Sequence, residues 1–270
     1  MDILLEIKNL SKIYKTPKKD IVALNDINLQ VKEKEFVTVI GPSGCGKSTF
    51  LRCIAGLEKP SKGEIRINGT CVKYPGRDRM MVFQGLDQLF PWLTVLDNIT
   101  YPLKLAKRGK NKAERKEIAN YFLKLVSLEG AGHLYPYQLS GGMKQRVAIA
   151  RALSVCPKVL LMDEPFGSLD ALTRDNLQKH LIKIWKETGV TIIFVTHNIE
   201  EAVILSTRIA VFSTGVIKEI IENHLIWPRI PENPSFVAQW EKVYSLLQDK
   251  IEKKEITNPL ISERKVNLAF

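Results

Sequence analysis

The chain has 270 residues, 45% of them hydrophobic and 26% charged, which suits a globular protein with a substantial core. No apolar run approaches the roughly 18 residues of a membrane span, and the charged residues Asp2, Glu6 and Lys8 exclude a secretory signal. The net charge of +11 favours acidic partners, but the basic runs lack the interleaved aromatics of a nucleic-acid surface. We therefore expect a cytoplasmic protein with a solvated basic surface. Four scattered cysteines without zinc-type pairing predict reduced thiols: Cys45, Cys53, Cys71 and Cys156.

The first third of the chain is predicted to be mostly strand. Residues 1–35 alternate apolar and polar side chains, which predicts half-buried antiparallel strands. Residues 36–40 form a continuous β-rich run, which is typical of a buried parallel strand. A glycine-rich loop follows, and then a helix over about residues 47–55. Residues 63–83 return to short strands interrupted by turn signals.

A mostly helical insertion is predicted at about residues 90–157, where residues 94–105 and 113–126 show helical spacing. The strand pattern then resumes, with strands and one helix (173–187) expected at 159–162, 191–195 and 209–212. Alternation of strand and helix implies a parallel sheet with right-handed crossovers. A last amphipathic helix is expected to bury Phe236, Val237, Trp240, Val243, Tyr244 and Leu247.

The glycine-rich loop is the strongest chemical signal in the sequence. It reads Gly41-Pro42-Ser43-Gly44-Cys45-Gly46-Lys47-Ser48, with a predicted strand before it and a helix after it. Backbone N–H groups and the helix N-terminus then converge on phosphate, Lys47 suits the β- and γ-phosphates, and Ser48 suits Mg²⁺. A chance match in a glycine-rich turn is the alternative, and it leaves the flanking strand and helix without a reason. The N–H donors and Lys47 around Cys45 also predict a thiolate there.

Two acids end one of the predicted buried strands. Asp163 and Glu164 follow four apolar residues, and ligands of open α/β sheets bind at the carboxyl ends of strands. Asp163 is then suited to hold Mg²⁺ through water, and Glu164 to act as the base that polarises an attacking water. Two adjacent acids alone would be a solvated strand end. The glycine loop supplies the other half of a phosphate site and favours the functional interpretation.

Two further polar side chains follow predicted strands. His197 lies two residues beyond the run 191–195 and is placed to reach a γ-phosphate, although a lone histidine is more often structural. Gln84 ends the run 80–83, and its amide is suited to contact Mg²⁺ or the attacking water. A glutamine in a loop carries little information by itself. We favour a functional role for both residues because they accompany the glycine loop.

A second glycine-containing segment, Ser140-Gly141-Gly142, precedes a strong helical pattern. Exposed N–H groups at a helix start, with a serine hydroxyl and two glycines, make a second anion site. A simple serine helix cap is the alternative, but a cap does not need two glycines. Two phosphate sites in one chain suggest that ATP is held between two copies, one supplying the loop and the other the helix.

Taken in this order, the motifs resemble the ATP-binding subunit of ABC transporters over about residues 5–245. The resemblance implies an α/β fold, in which a P-loop nucleotide-binding core contains a mixed sheet with N-terminal antiparallel strands and is accompanied by a helical subdomain. It implies ATP and Mg²⁺ as cofactors. The family's Walker A loop corresponds to residues 41–49, which end at Thr49, and its Walker B strand corresponds to residues 159–164.

The same resemblance assigns the remaining motifs. Gln84 would be the Q-loop glutamine, residues 139–145 the signature, residues 168–170 the D-loop and His197 the switch histidine. Tyr14 lies where the family places an aromatic side chain that stacks on adenine. A tyrosine in an early loop serves packing equally well, so that assignment has a structural alternative.

A finer resemblance concerns Gln84 and the segment Pro91-Trp92-Leu93-Thr94-Val95, which is similar to importers for nitrate, sulfonate, taurine and related small molecules. Many sugar-importer subunits instead have histidine after that proline. The resemblance implies one ABC ATP-binding domain at residues 1–245 and leaves a basic tail at residues 246–270. It also implies a location at the cytoplasmic face of the membrane. The implied partners are transmembrane permease subunits, a second copy or a sister ATPase, and indirectly a solute-binding protein.

Two other functions compete with transport. A soluble ABC ATPase acting on nucleic acid or ribosomes would suit the positive charge, but Lys47 and Leu139 are too close in sequence for the coiled-coil insertion of repair-type members. The chain also has one cassette, whereas translation-type members have two. A small-molecule kinase would leave Ser140 and His197 without a role. We therefore expect a transport ATPase that works as a head-to-tail dimer and has no nucleic-acid partner.

Overall fold

A computed structural model describes residues 2–248. Its strands are β1 (Ile3–Tyr14), β2 (Ile21–Lys32), β3 (Phe36–Ile40), β4 (Lys62–Ile67), β5 (Thr70–Cys71), β6 (Arg79–Val82), β7 (Val159–Asp163), β8 (Thr191–Thr196), β9 (Arg208–Ser213) and β10 (Val216–Glu222). Its α-helices are α1 (Lys47–Ala55), α2 (Val95–Leu105), α3 (Lys112–Leu125), α4 (Gly141–Ser154), α5 (Ala171–Thr188), α6 (Ile199–Leu205) and α7 (Pro234–Gln248). None of the helices in this described part is both long and apolar enough to cross a membrane.

The N-terminal strands form an antiparallel sheet, as their alternating pattern predicts. The strand order is β2-β1-β4-β5. Ile7 pairs with Leu29 and Leu10 pairs with Ile27, with a register shift between the two pairs, and all four side chains are buried in one cluster. In β2 the buried residues Ile27, Leu29 and Val31 alternate with exposed ones, so a slip of one residue would expose this apolar set.

The second sheet is the one that positions the functional side chains. Its strand order is β10-β9-β3-β8-β7-β6, in which β9, β3, β8, β7 and β6 are parallel and β10 pairs antiparallel with β9. Every residue of β3, β7 and β8 is buried, as expected for central strands covered on both faces. Since β8 lies between β3 and β7, the carboxyl ends of these three strands are adjacent at one edge of the sheet.

Helices cover both faces of this sheet. Leu160 and Met162 face a cluster that includes α2, α3, α4 and α5, whereas Val159 and Leu161 face α1 and the antiparallel sheet. The helices α2, α3 and α4 all lie between β6 and β7 in the chain, which confirms the predicted helical subdomain beside a mixed α/β core.

The last helix buries less than its sequence predicts. In α7 only Phe236 and Val243 are buried, whereas Val237 is 40% exposed and Tyr244 is 41% exposed, so the prediction that these two are buried is wrong. Tyr244 instead stacks on Trp240 with ring centroids 5.0 Å apart. Helix α7 packs against the core through a narrow apolar face, and the side chains at the borders of that face remain exposed to solvent. The predicted basic tail at residues 246–270 lies outside the described residues from position 249 onward.

Candidate nucleotide site

The glycine loop connects the buried strand β3 to helix α1. Gly44 and Gly46 have φ of +76° and +104°, in the left-handed region that favours glycine. A Cβ on Gly46 would lie 2.4 Å from the Ala23 carbonyl oxygen, and one on Gly41 would lie 2.6 Å from the Phe212 carbonyl oxygen. Pro42, Ser43 and Gly44 are exposed. The loop therefore brings bare backbone to the surface at the N-terminus of a helix, an arrangement that attracts phosphate.

Lys47 places a cation inside this loop. The residue is only 5% exposed, and its Nζ donates hydrogen bonds to the carbonyl oxygens of Gly41 at 2.7 Å and Pro42 at 3.1 Å. The same nitrogen lies 3.8 Å from Glu164 Oε1. The ammonium group is thus held among oxygens at the point where the loop would meet the end of a phosphate chain.

Ser48 and Asp163 come together although they are far apart in the chain. The Ser48 hydroxyl donates to Asp163 Oδ1 at 3.1 Å. Burial raises the pKa of the Asp163 carboxyl, and the hydrogen bond from Ser48 opposes that rise. A hydroxyl beside a buried carboxylate fits Mg²⁺, which takes one or two protein oxygens and completes its shell with phosphate and water. Positive charge next to Asp163 would oppose the effect of burial and favour the ionised carboxylate.

Glu164 directly follows β7 and faces His197, which directly follows β8. Glu164 Oε2 lies 2.9 Å from His197 Nδ1, and the carboxylate side chain is 16% exposed. Glu164 has φ of +42°, a left-handed conformation that costs on the order of 1–3 kcal/mol for a non-glycine residue. Its backbone N–H donates to the Val195 carbonyl oxygen at 3.0 Å, which fixes the residue to the neighbouring strand. The strained turn directs the carboxylate toward the glycine loop and His197.

Gln84 reaches the same place from the end of β6. A Cβ built on Gly167 would lie 3.9 Å from Gln84 Nε2 and 4.0 Å from Glu164 Oε2, so both side chains approach one point. Gln84 is exposed and belongs to the segment that links the sheet to the helical subdomain. The structure therefore brings Gln84 together with the carboxylate predicted to be the base.

The segment Ser140-Gly141-Gly142 lies apart from this cluster. Ser140 caps α4, since its hydroxyl accepts a hydrogen bond from the Met143 N–H at 3.3 Å. The glycines also have a packing reason: a Cβ on Gly142 would lie 2.5 Å from Thr173 Cγ2, and one on Gly141 would lie 3.3 Å from Leu169 Cδ2. Among the hydrogen bonds of residues 2–248, none joins this segment to the glycine loop. Within residues 2–248 of one copy, no hydrogen bond therefore connects its two predicted phosphate sites.

Tyr14 is anchored beside the first turn of α1. Its hydroxyl donates to Glu58 Oε2 at 2.5 Å and lies 3.5 Å from Thr49 Oγ1, while Lys12 Nζ lies 5.0 Å from the centre of the ring. Burial, followed by the contact with Glu58, raises the pKa of the Tyr14 hydroxyl. The contact with Thr49 brings the ring next to the phosphate loop, and its stacking on adenine stays a prediction.

The predicted thiolate at Cys45 is wrong. The residue is 5% exposed and packs in the core below the loop. Burial raises the pKa of the Cys45 thiol, and the positive charge of Lys47 opposes this only in part. The residues next to Cys45 in the sequence indicated the positive charge near the sulfur atom, but they did not indicate that the sulfur is buried.

Three polar residues behind the cluster were missed by sequence reasoning. A cavity of about 40 Å³ is lined by Glu164, Gly167, Arg174, Thr196, His197, Asn198 and Glu201. The sequence motifs assign no role to Arg174, Thr196 or Glu201. The signal in the sequence was Glu201 in the first turn of the helix after His197, with Asn198 as the cap.

A larger cavity of about 690 Å³ lies where β7 and β8 begin, near Lys158 and Thr191, and shares no residue with the nucleotide cluster.

Comparison with known proteins identifies the family. The family model for the ABC transporter matches residues 24–167, which is more than half of the chain. The chain belongs to the ABC transporter family. As an ABC ATP-binding protein it binds and hydrolyses ATP, which confirms the predicted family, ligand and ATPase activity.

Relatives of this ABC protein are similar over most of its length. An uncharacterised ABC transporter ATP-binding protein of Methanocaldococcus jannaschii is 49% identical over 255 residues, 94% of each chain. The nitrate import ATP-binding protein NrtD of Synechococcus elongatus is 43% identical over 84% of this chain and 85% of its own. The bicarbonate transport ATP-binding protein CmpC of Synechocystis is 46% identical over 94% of this chain, which spans only 39% of that relative. Their names describe transport and give no support to an ATPase acting on nucleic acid or ribosomes.

Solved structures confirm the fold of this ABC protein. A dimeric ATP-binding cassette captured after hydrolysis with ADP and phosphate is 36% identical, with a TM-score of 0.73 over 83% of this chain and all of the other. The cassette cbiO1 of Clostridium perfringens, part of the ABC transporter complex cbiONQ, is 27% identical, with a TM-score of 0.74 over 98% of this chain. The predicted α/β fold with an antiparallel N-terminal sheet and a helical subdomain is confirmed.

Proposed function

We propose that this chain is the ATP-hydrolysing subunit of an ABC importer for a small anion or related compound, such as nitrate, bicarbonate, sulfonate or taurine. The observation that carries the proposal is similarity over most of the chain to nitrate and bicarbonate import ATP-binding proteins. The cluster of Lys47, Ser48, Asp163, Glu164 and His197 supplies the chemistry that such a subunit needs.

The contacts support the following roles in hydrolysis. The loop of residues 41–49 holds the phosphates through its N–H groups, and Lys47 balances the charge at the terminal phosphate. Ser48 and Asp163 would hold Mg²⁺, with Gln84 as a further oxygen ligand. When bound, Mg²⁺ would neutralise the negative charge that develops on the phosphate oxygens.

Glu164 acts as the base in this proposal. Its carboxylate accepts a proton from the attacking water, and His197 and Gln84 orient that water from either side. The pairing with His197 at 2.9 Å holds the carboxylate in place before the substrate arrives.

A second copy or a sister ATPase completes the site. Ser140, Gly141 and Gly142 lie apart from the glycine loop of their own chain, so they are available to an ATP bound by a partner. Two related cassettes form dimers. The Glu164→Gln variant should run as a monomer without nucleotide and as a dimer with MgATP. A dimer of equal stability without ATP would contradict this arrangement.

The other partners are transmembrane permease subunits, which would hold this chain at the cytoplasmic face of the membrane, and indirectly a solute-binding protein. Trp92 supports this part of the proposal, since it is 72% exposed beside Phe90, with ring centroids 5.5 Å apart. A large exposed aromatic side chain is suited to dominate an interface.

The test is uptake into proteoliposomes that contain this chain and the permease subunits encoded beside it. MgATP is enclosed in the liposomes, on the side of the membrane that carries this chain, and the matching solute-binding protein is added outside. We then expect ATP-dependent uptake of one of the named compounds. Liposomes that carry the Glu164→Gln chain are the matched control and should transport none. ATP-dependent export, or ATP turnover that never moves any solute, would contradict the importer.

A further inference from the structure

Glu201 is a buried acid directly behind Glu164 and His197. It forms hydrogen bonds with the residues on both sides of His197. Glu201 is 5% exposed, and its Oε2 accepts a hydrogen bond from Thr196 Oγ1 at 2.5 Å. Its backbone N–H donates to Asn198 Oδ1 at 3.2 Å. Because Thr196 precedes His197 and Asn198 follows it, the position of Glu201 sets the position of the histidine.

Arg174 connects this acid to another loop. Its Nε lies 3.7 Å from Glu201 Oε1, and its terminal nitrogen donates to the Leu169 carbonyl oxygen at 3.0 Å. Leu169 belongs to the segment 168–170, and its side chain packs against Gly141 at the start of α4. One guanidinium therefore joins the His197 loop to the segment that supports the second predicted phosphate site.

The space between these groups is suited to water. Arg174 Nε is buried and has no hydrogen-bond partner among residues 2–248, and the cavity of about 40 Å³ beside it is also lined by Glu164 and Gly167. A polar cavity larger than roughly 10–15 Å³ accommodates a water molecule. A water there would bridge the 3.7 Å between Arg174 and Glu201 and satisfy the orphaned nitrogen. Burial raises the pKa of Glu201, and the hydrogen bond from Thr196 and the charge of Arg174 oppose that rise.

We propose that Arg174 and Glu201 are positioning residues for ATP hydrolysis, whose ion pair makes the placement of His197 and the placement of the Leu169 segment depend on each other. Neither side chain touches the glycine loop. Their effect is therefore on the geometry around Glu164 and His197, where a displacement of about 1 Å lowers a rate by roughly 10². ATP binding to the loop should be unaffected.

The first experiment separates kcat from KM. We expect Arg174→Met and Glu201→Gln each to lower kcat at least tenfold, while KM for MgATP changes less than threefold. The double variant should lose no more than the worse single variant, because both changes break one interaction. Arg174→Lys should fall between parent and Arg174→Met, since a lysine keeps the charge but cannot contact Glu201 and the Leu169 carbonyl together.

A matched ion pair elsewhere distinguishes positioning from general stability. Arg208 and Glu35 lie 3.0 Å apart with side chains 15% and 14% exposed, at the opposite edge of the sheet where β3 and β9 begin. Glu35→Gln should lower the melting temperature without changing the kcat of the folded protein. The proposal is overturned if the Arg174 variants keep kcat within threefold of the parent, or if Glu35→Gln lowers kcat as much for the same drop in melting temperature. If Glu201→Gln fails to fold, the Arg174 variants decide, since that side chain is 30% exposed.

The second experiment tests the link to Leu169 and rests on the proposed dimer. The parent should show a Hill coefficient above one for ATP, and Arg174→Met should lower it toward one. A parent that neither dimerises with ATP nor shows cooperativity contradicts the dimer and leaves the kcat comparison to judge Arg174. A cooperative parent with an equally cooperative Arg174→Met variant overturns the link.

Discussion

Replacing Glu164 by glutamine is the sharpest test of the hydrolytic role. The change removes the negative charge and preserves the shape of a side chain that lies 2.9 Å from His197 Nδ1 and 3.8 Å from Lys47 Nζ. A general base contributes roughly 10²–10⁴ to a rate. At 1.36 kcal/mol per factor of ten, this corresponds to about 2.7–5.4 kcal/mol of activation free energy. We therefore expect turnover to fall by at least a hundredfold.

Binding of ATP should survive the same change. The contacts of Lys47 with the Gly41 and Pro42 carbonyl oxygens do not involve Glu164. Loss of the carboxylate also removes a negative charge that opposes the terminal phosphate. Glutamine adopts the left-handed turn as readily as glutamate, so the melting temperature should stay within a few degrees of the parent's.

The assay is steady-state phosphate release with MgATP, accompanied by equilibrium binding of a fluorescent ATP analogue. Glu200→Gln is the matched control, because Glu200 is exposed and lies in the first turn of α6, three positions from His197. It should turn over like the parent. Turnover of Glu164→Gln within threefold of the parent, with the protein folded, would refute the assignment of the base.

Three other outcomes are expected. Ser140→Arg should abolish ATP-dependent dimerisation while the monomer still binds ATP, as gel filtration with and without MgATP will show; an intact dimer would contradict the second phosphate site. Cys45 should alkylate far more slowly than the exposed Cys71 at neutral pH and faster as pH rises, because the thiolate reacts and burial raises the pKa of Cys45; mass spectrometry that finds equal labelling of both would contradict its burial. Trp92→Ala should weaken assembly with the permease subunits and change basal ATPase activity less than twofold, because Trp92 is 72% exposed. A large drop in melting temperature with assembly intact would show that Trp92 stabilises the fold and does not bind the permease.

The sequence predicted the parts of the site that depend on local pattern. A buried strand followed by glycines and a helix needs only residues 36–55, and α1 begins and ends at the residues expected. Asp163 and Glu164 likewise follow a short apolar run. The meeting of Glu164 with His197 is different, because it requires β8 to lie between β3 and β7. Strand order depends on long-range packing and is not encoded in the period of any one segment.

The elements that were missed have mixed patterns. Strand β10 carries Lys218 and Glu219 in its middle and lies at the edge of the sheet, where one side faces solvent, so its apolar residues do not alternate cleanly. Helix α6 has only seven residues, too few for a clear period. The depth of Cys45 and the exposure of Tyr244 are also tertiary properties. A residue's neighbours in sequence specify its chemistry, whereas its burial depends on segments far along the chain.

The glycines before α4 show why Ser140 is the residue on which to test the second phosphate site. A Cβ on Gly142 would lie 2.5 Å from Thr173 Cγ2, so Gly142→Ala would disturb packing whether or not a phosphate binds there. Packing against Thr173 and binding of a phosphate both require a residue without a Cβ. A glycine substitution would therefore disturb both at once and could not distinguish them. Ser140 is exposed, and among the described residues its side chain forms a single hydrogen bond, the cap to the Met143 N–H. Arginine at this position removes the serine cap of α4, which costs about 1 kcal/mol, but it replaces no packed side chain. A loss of dimerisation in a monomer that keeps its melting temperature within a few degrees of the parent's would therefore report on the ligand and not on the fold.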